Sequence, residues 1–249
     1  MLLKLYYQKH YNDYHIIIVD NNTLNSNEEK QIRKYTNDII KLSDNLGFAK
    51  ANNIGIKYAE KKYNSMFYIV LNNDVYIYQK DFLKIIKDDY KKYKFDMLGP
   101  KIDSPSGESV NPFPAIKLKS EVKKEINYCN KLIKIYQSNI LTFLLDTYLK
   151  LKYLFLNKPK VENGKNVVMN VPLHCCAIVF SKEYVEKYTD TFNSCTFLFH
   201  EEEFLYQRLI KNNLISIYDP RSKGAKSYEK FAKEFLKNNE NELKGKHAM

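Results

Sequence analysis

The sequence predicts an α/β domain with a mostly parallel central sheet that is flanked by helices. Two apolar runs, 15–20 and 66–71, have the continuous hydrophobic character of strands that are covered on both faces. Segments of helical period lie between such runs, and this alternation implies right-handed crossovers that join parallel strands. Both runs also end in polar residues, where an open α/β sheet presents its ligand-binding groups.

The individual elements follow from local signals along the chain. Ser26, with Glu29 three residues later, has the spacing of a capping box and opens the first helix. The stretch 100–114 holds four of the seven prolines and is predicted to be a loop or a short hairpin. Pro172 interrupts a later apolar run. In chain order we expect strands at 15–20, 39–42, 66–71, 96–99, 167–180 and 215–218, and helices at 26–35, 52–62, 80–93 and from 201 onward.

The composition indicates a folded domain with an anionic partner. A chain of 249 residues with 44% apolar content can close a substantial core. Its 40 Lys and Arg residues exceed its 29 Asp and Glu residues, and the net charge of +11 favours nucleotide phosphates, acidic lipid headgroups or nucleic acid. Nucleic acid is the least favoured of these partners, because the sequence has no stacking-platform motif and no clustered arginines.

The cysteines and the hydropathy predict a cytoplasmic location. The four cysteines show no CxxC spacing and no zinc-like pairing with histidines, so we expect reduced thiols. The N-terminus lacks the apolar run of a secretory signal, and no run reaches the ~20 apolar residues that a spanning helix needs. We therefore expect a protein that is neither secreted nor itself transmembrane. The cysteines are Cys129, Cys175, Cys176 and Cys195.

A long helical region is predicted at 118–157. Its last part, 140–156, is dense in Leu and aromatic residues with flanking lysines, which is typical of a helix that lies at a membrane surface. A helical hairpin that packs on its own domain or on a dimer partner has the same pattern. Both interpretations remain open at the level of the sequence.

The end of the 66–71 run is the most informative position in the chain. Asn72, Asn73 and Asp74 follow this run directly. A carboxylate beside short polar side chains at the mouth of a buried strand suits a divalent cation that holds a diphosphate, because Mg and Mn prefer hard oxygen ligands. A strand that ends in a simple Asn/Asp turn is the alternative, since these residues favour turns.

Three segments together resemble a known family. The segments 19–22, 44–55 and 71–74 are similar to the nucleotide-sugar half of the bacterial family 2 glycosyltransferases. Residues 45–55 match the motif N-x-G-F-A-x-x-x-N-x-G, which is typical of the rhamnosyltransferase-like members. The segments 99–102 and 197–202 resemble the second half of the family, so that the likeness covers roughly residues 5–220.

The resemblance implies a GT-A nucleotide-diphospho-sugar transferase fold and an inverting reaction. A nucleotide-sugar binding half at 1–114, a helical insertion at 115–160 and an acceptor-binding half with the catalytic base at 161–249 would form one domain. A divalent metal, Mg or Mn, would neutralise the leaving diphosphate, and a carboxylate would remove the proton of the acceptor hydroxyl. The implied donor is a UDP- or dTDP-sugar that carries rhamnose or a hexose. The implied acceptor is a surface polysaccharide or a lipid-linked glycan at the inner face of the cell membrane.

The resemblance also assigns residues to roles. Asp74 stands at the last position of the D-x-D-like motif and would bind the metal. Glu202 aligns with the catalytic base, Glu201 would orient it, and Glu203 is expected to be a solvated charge at the helix start. His174 and Cys176 fall on the acceptor-side strand, where His174 either lines the site or is a satisfied core histidine. The residues implied for nucleotide-sugar binding are Asp20, Asn21, Gly47, Phe48, Ala49, Asn52, Asn53, Asn72, Asn73 and Arg208.

Two departures from the family pattern favour an alternative. Family members open with a strand and a turn, whereas here Met1 falls inside the following helix, so that the start is expected to be shortened. Lys226 stands where the family places a histidine about six residues after Pro220, and a lysine there could still neutralise diphosphate charge. The alternative is a degenerate, non-catalytic GT-A protein that binds sugar nucleotides or glycans.

Overall fold

The computed structural model describes residues 14–77, 79–104, 109–113 and 166–226, together with Asn127 and Asn130; for 224–226 it describes the backbone alone. The elements below belong to one of two units into which the chain divides, Met1–Pro114 with Asn163–Met249. The strands are β1 (Ile17–Asp20), β2 (Asp38–Lys41), β3 (Phe67–Leu71), β4 (Val75–Tyr76), β5 (Met97–Asp103), β6 (Val168–Met169), β7 (Ala177–Ser181) and β8 (Ser216–Lys226). The helices are α1 (Ser26–Ile32), α2 (Gly47–Lys62), α3 (Phe82–Tyr93), α4 (Lys182–Lys187) and α5 (Glu201–Lys211).

The central sheet is mixed, which corrects the predicted mostly parallel sheet. Its order is β3-β7-β5-β8-β4, with β6 paired to β8, while β1 and β2 form a separate parallel ladder. Strands β3, β5 and β8 run in one direction as predicted, but β7 lies antiparallel between β3 and β5. Hydropathy does not reveal this reversal, because a strand that is buried on both faces has the same apolar run in either direction.

The core occupies both faces of the sheet, and β7 contributes to both. Ile178 and Phe180 pack with α2 and α5 on one face, whereas Ala177 and Val179 pack with α3 on the other. This alternation is the period-two geometry of a strand. Every residue of β7 is buried, so this strand holds a fixed position at the centre of the sheet.

Several boundaries differ from the predicted ones for local reasons. The capping box of α1 is formed by Asn25 and Glu28, one residue before the predicted pair, because Asn is as good an N-cap as Ser. Helix α2 begins at Gly47, five residues earlier than predicted, and β5 continues to Asp103 into the predicted loop. The apolar run 167–180 forms two strands, β6 and β7, that are separated by a segment containing Pro172.

Other predictions fall partly or wholly outside the described residues. The helical region 118–157 lies outside them, apart from Asn127 and Asn130. In the part of the chain that the structure describes, no helix is long and apolar enough to cross a membrane. Cys175, Cys176 and Cys195 are free thiols. Cys129 lies outside the described residues.

A buried ionic cluster connects α3 to β8. Asp89 and Asp219 are buried, and the guanidinium of Arg221 hydrogen-bonds to both carboxylates. Burial, followed by the neighbouring Asp219, raises the pKa of Asp89 to about 7. The native state therefore holds the Asp89 proton more tightly than the unfolded chain does.

We expect Asp89→Asn to change how stability depends on pH. The raised native pKa makes ionisation of Asp89 destabilising, so the wild-type protein should lose on the order of 2 kcal/mol relative to the variant as pH rises from about 4 to 7. Urea unfolding at a series of pH values measures the difference. Asp88→Asn, at an exposed carboxylate on the same helix, is the control. Parallel profiles for wild type and Asp89→Asn would contradict the raised pKa.

Candidate active site

The described structure brings the predicted metal ligand and the predicted base to the same edge of the sheet. Strand β3 ends at Leu71, opposite Ala177 at the start of the antiparallel β7. The pairing continues beyond both strands, because the Asn72 N–H donates to the Cys176 carbonyl at 2.8 Å. One residue earlier, the Cys175 N–H donates to Glu202 Oε1 at 3.0 Å. Residues 174–176 therefore connect the 72–74 turn to helix α5.

Asp74 lies in the tight turn between β3 and β4, and its geometry fits a cation. The Val75 N–H donates to the Asn72 carbonyl at 3.1 Å and closes the turn, while Asn73 is exposed. Asp74 Oδ1 is excluded from solvent and accepts no hydrogen bond from the described residues. An unpaired buried carboxylate oxygen is unfavourable, and a bound cation would satisfy it.

The donor set around Asp74 suits a metal that shares its coordination with a substrate. No group of three or more His, Cys, Asp or Glu side chains that could hold a metal occurs among the residues described. Mg²⁺ in proteins commonly binds one or two carboxylates and completes its shell with phosphate oxygens and water. Asp74 therefore fits a metal that arrives with a diphosphate.

The backbone register places Lys226 next to this turn. Strand β4 pairs antiparallel with the end of β8, so that Val75 lies opposite Lys226 and Tyr76 opposite Ala225. Val75 directly follows Asp74 in the chain. The lysine that replaces the histidine of the family pattern thus belongs to the strand position that neighbours the predicted metal ligand.

Glu202 is buried at the start of α5, and its carboxylate is oriented by the backbone. Besides accepting the Cys175 N–H, Oε1 lies 3.3 Å from His174 Nδ1. His174 Nδ1 accepts the Cys176 N–H at 3.1 Å, which places the proton of a neutral ring on Nε2. No hydrogen bond from the described residues reaches the second oxygen, Oε2. This arrangement leaves one oxygen for a proton from elsewhere.

The two flanking glutamates are also drawn inward. Glu201 is buried, and its Oε1 has no hydrogen-bond partner in the described structure; the same holds for Oε2 of Glu203. The predicted solvated position of Glu203 holds for only part of the side chain, which is 32% exposed: Oε1 lies 3.5 Å from Nδ1 of the exposed His200, whereas Oε2 is excluded from solvent. Negative charge in the first turn of α5 is favoured by the helix dipole.

The thiols beside the site are unreactive in character. Burial, followed by the charge of Glu202, raises the pKa of Cys175 well above its usual value. Cys176 is buried as well. Their contribution to the site is the backbone, through the Cys175 N–H and the Cys176 carbonyl.

The start of α2 is tied to the segment before α5. Gly47 has φ +79°, and a Cβ added there would lie 2.3 Å from the Phe197 carbonyl oxygen, so only glycine fits. The Phe48 N–H donates to that carbonyl at 2.7 Å. Asn45 Oδ1 accepts the Gly47 N–H at 3.0 Å. Two amides of the first helical turn, which could otherwise bind an anion at a helix N-terminus, are thus bound by the protein itself.

The remaining residues predicted to bind the nucleotide sugar make contacts within the protein. Asn53 exchanges hydrogen bonds with the Phe192 backbone, at 2.9 Å in both directions. Asp20 Oδ1 accepts the N–H groups of Thr23 and Leu24, which closes the turn after β1. The other side chains of this set act similarly: Asn21 Oδ1 accepts the Leu46 N–H, Asn52 donates to the Phe48 carbonyl, and Ala49 lies in the core. Their contact with a nucleotide stays a prediction.

Arg208 is engaged in a structural role. Its Nη1 donates to Tyr184 Oη and to the carbonyls of Asp190 and Thr191, at 2.7–2.9 Å. The guanidinium also lies over the Tyr188 ring, 4.7 Å from the centroid. These contacts hold the segment after α4 against α5. The predicted contact with a phosphate is untested.

Asn111 is a site-forming residue that the sequence did not indicate. It is fully buried, its Nδ2 donates to the Pro100 carbonyl at 2.9 Å, and its Oδ1 accepts the His174 N–H at 2.7 Å. It therefore fixes the segment that carries Cys175 and Cys176. The only signal was an asparagine within a proline-rich stretch, and such a residue is usually found in a turn.

The structure is an α/β domain with two carboxylates at its candidate site. Asp74, in the turn after β3, has a buried oxygen without a hydrogen-bond partner in the described structure, and Glu202, at the start of α5, is buried and oriented by a backbone N–H. The chain belongs to the glycosyl transferase family 2, whose family model matches residues 2–151. Membership confirms the predicted GT-A fold class and places the chain in the predicted family. It does not select the sugar or the acceptor.

The chain is also similar to solved structures of S. aureus TarS, at low identity. S. aureus TarS 1-349 is 14% identical, with 82% of this chain and 50% of that chain covered and a TM-score of 0.44. The TarS complex with UDP-GlcNAc is 22% identical, with 41% of this chain and 27% of that chain covered. The TarS complex with UDP is 21% identical, with 41% of this chain and 28% of that chain covered. Both have a TM-score of 0.30. The chain spans half or less of the length of these proteins. A comparison with proteins of curated function gives no match.

We expect Gly47→Ala to detach the 197–200 segment from α2. The positive φ and the clash with the Phe197 carbonyl should destabilise the fold by on the order of 2 kcal/mol. Thermal unfolding measures this loss, and faster chymotrypsin cleavage after Phe197 and Phe199 reports the detached segment. Gly55→Ala is the matched control for the cleavage assay, because its added methyl would crowd the Val19 Cγ2 atom at 2.7 Å and has no contact with the 197–200 segment. Equal cleavage rates for the two variants would contradict the coupling.

Proposed function

We propose that this chain is an inverting glycosyltransferase that moves rhamnose or a hexose from a UDP- or dTDP-sugar to a surface polysaccharide or a lipid-linked glycan. The strongest supporting observation is that Asp74 and Glu202 lie at one edge of the sheet, where the backbone of residues 174–176 connects the turn of Asp74 to Glu202. Family membership supports the reaction class.

The proposed chemistry divides the work between two carboxylates. A divalent metal held by Asp74 would supply positive charge that neutralises the leaving diphosphate. Glu202 removes the proton of the acceptor hydroxyl while that oxygen forms a bond to the anomeric carbon. The bond from this carbon to the diphosphate breaks, and its electron pair leaves with the nucleoside diphosphate. The proton ends on Glu202, so atoms and charge balance.

Lys226 provides a second source of positive charge in this proposal. The D-x-D-like position carries Asn72 and Asn73 in addition to Asp74, so the protein contributes one carboxylate to the metal. A lysine is a point cation that can pair with phosphate in the absence of a histidine ligand. The backbone pairing of Lys226 with Val75 supports this role.

We also propose that the protein works at the inner face of the cell membrane. The net charge of +11 favours anionic lipid, and Phe197, Leu198 and Phe199 are 56–70% exposed just before the helix of the proposed base. Phe199 and His200 both have positive φ, which holds this segment away from regular structure. A lipid-linked acceptor would reach Glu202 from that side.

Vesicle co-sedimentation tests the membrane contact. Phosphatidylglycerol vesicles should retain the wild-type protein about tenfold better than the variant with Phe197→Ser and Phe199→Ser, because each aromatic ring buries apolar area in the bilayer interface. Tyr35→Ser, at an exposed ring in the turn after α1, is the matched control. Equal retention of all three proteins would contradict a role for this segment.

Two substitutions separate the roles in the transfer reaction. Asp74→Ala should abolish binding of UDP and dTDP that depends on Mg or Mn, because the metal loses its protein ligand; calorimetry with and without a chelator measures this. Glu202→Gln should keep nucleotide binding and lower transfer by about 10²–10⁴-fold, because a positioned base is lost.

The control for both is Glu60→Gln, at an exposed acid on α2. Transfer by Glu202→Gln at the wild-type rate would show that another group is the base. Nucleotide binding without transfer in the wild-type protein, across UDP- and dTDP-sugars, would favour the non-catalytic alternative.

A further inference from the structure

Strand β8 contains a three-residue irregularity just before the position of Lys226. Asp219 pairs with Pro100 of β5, but the next pair joins Lys223 to Lys101. Residues 220–222 are therefore extra on β8, and the parallel pairing resumes after them. Irregularities of this kind commonly aim a strand near a functional site.

The side chain of Arg221, at the centre of this irregularity, is bound by two buried carboxylates. Its Nε lies 3.0 and 3.2 Å from the two oxygens of Asp219, and its backbone N–H donates to Asp219 Oδ1 at 2.9 Å. Its Nη2 donates to Asp89 Oδ1 on α3. Asp219 and Asp89 are 0% and 2% exposed, so the anchors of the guanidinium are rigid.

The side chain of Gln79 binds the backbone of the same irregularity. Its Nε2 donates to the Arg221 carbonyl at 2.8 Å, and its Oε1 accepts the Lys223 N–H at 2.6 Å. The Ser222 hydroxyl donates to the Asp219 carbonyl at 3.0 Å. The extra residues are thus fixed by side chains from two other parts of the chain.

The register beyond this point decides which residue of β8 pairs with Val75, the residue that follows Asp74. With residues 220–222 excluded from the ladder, β8 reaches β4 so that Lys226 lies opposite Val75. If the irregularity were straightened, β8 would slide by three residues against β5, and Lys226 would no longer occupy that position.

We propose that Arg221 is a positioning residue for nucleoside diphosphate binding, which it promotes by setting the register that pairs Lys226 with Val75, the residue after Asp74. This inference rests on the proposed function of the site. Arg221 does not touch the diphosphate in this proposal. It acts through Lys226, and the two buried carboxylates serve to hold it.

A stability role alone explains this cluster poorly. Burying carboxylates with a cation is often no more stabilising than apolar packing of the same volume. A charged cluster does, however, specify one geometry among similar ones, because each of its bonds has a required direction. The geometry specified here is the strand register.

A double-mutant cycle on nucleotide affinity tests the proposal. Calorimetry with UDP and with dTDP, in the presence of Mg²⁺, is carried out on the full chain as wild type, Lys226→Ala, Arg221→Ala and the double variant. Each single change should weaken binding about tenfold, and the double variant should bind no more weakly than Lys226→Ala alone. Thermal unfolding of all four proteins separates affinity from folding.

Two further variants serve as controls. Arg33→Ala removes an arginine that pairs with Glu29 on the exposed helix α1, and it should leave affinity unchanged. Gln79→Ala loosens the irregularity without removing a charge, and it should weaken binding only when Lys226 is present. It also keeps the proposal testable if Arg221→Ala fails to fold.

The possible outcomes are distinct. Wild-type affinity in Arg221→Ala and Gln79→Ala, or losses that add to that of Lys226→Ala, would overturn the positioning role while leaving the proposed function intact. A wild-type protein that binds neither nucleotide would instead overturn the proposed function itself.

Discussion

The backbone of residues 174–176 joins the two carboxylates of the site, and the remaining geometry depends on it. The Cys176 carbonyl accepts the Asn72 N–H of the turn that carries Asp74, and the Cys175 N–H donates to Glu202. Hydrogen bonds to an ionised carboxylate are about twice as strong as neutral ones. Because both contacts use peptide groups of one short segment, separated by a single peptide, a shift of this segment would move both carboxylates together. Asn111 prevents such a shift by binding the segment from the side of β5.

Hydropathy and local signals were sufficient to predict the α/β class and the places of most strands and helices, and the polar end of β3 lies at the candidate site. They were insufficient for the direction of β7, because its buried apolar run has no directional feature. The start of α2 was missed for a related reason. A glycine with positive φ usually marks a helix end, whereas at Gly47 it admits the carbonyl of Phe197 to the helix start.

The roles of polar residues were the hardest feature to predict. Asn53 and its partner Phe192 are 139 residues apart in sequence, and nothing near either residue signals the contact. Arg208 likewise binds backbone carbonyls at 190 and 191. In a sequence, an amide or a guanidinium that closes the protein around a site looks the same as one that binds the ligand. Motif similarity locates such residues but does not distinguish the two functions.

The acids at the start of α5 differ in their hydrogen bonding. Glu201 and Glu203 each have a solvent-excluded oxygen without a hydrogen-bond partner among the described residues, whereas the bonded oxygen of Glu202 is fixed by the Cys175 N–H. A carboxylate that is oriented by the backbone keeps its free oxygen in a constant direction, as a proton acceptor must. A neighbouring carboxylate contributes negative potential instead, which favours cations and positively charged transition states; Oε1 of Glu203 also lies 3.5 Å from His200 Nδ1. The geometry therefore distinguishes Glu202 from two chemically identical neighbours, and it does so through one main-chain donor.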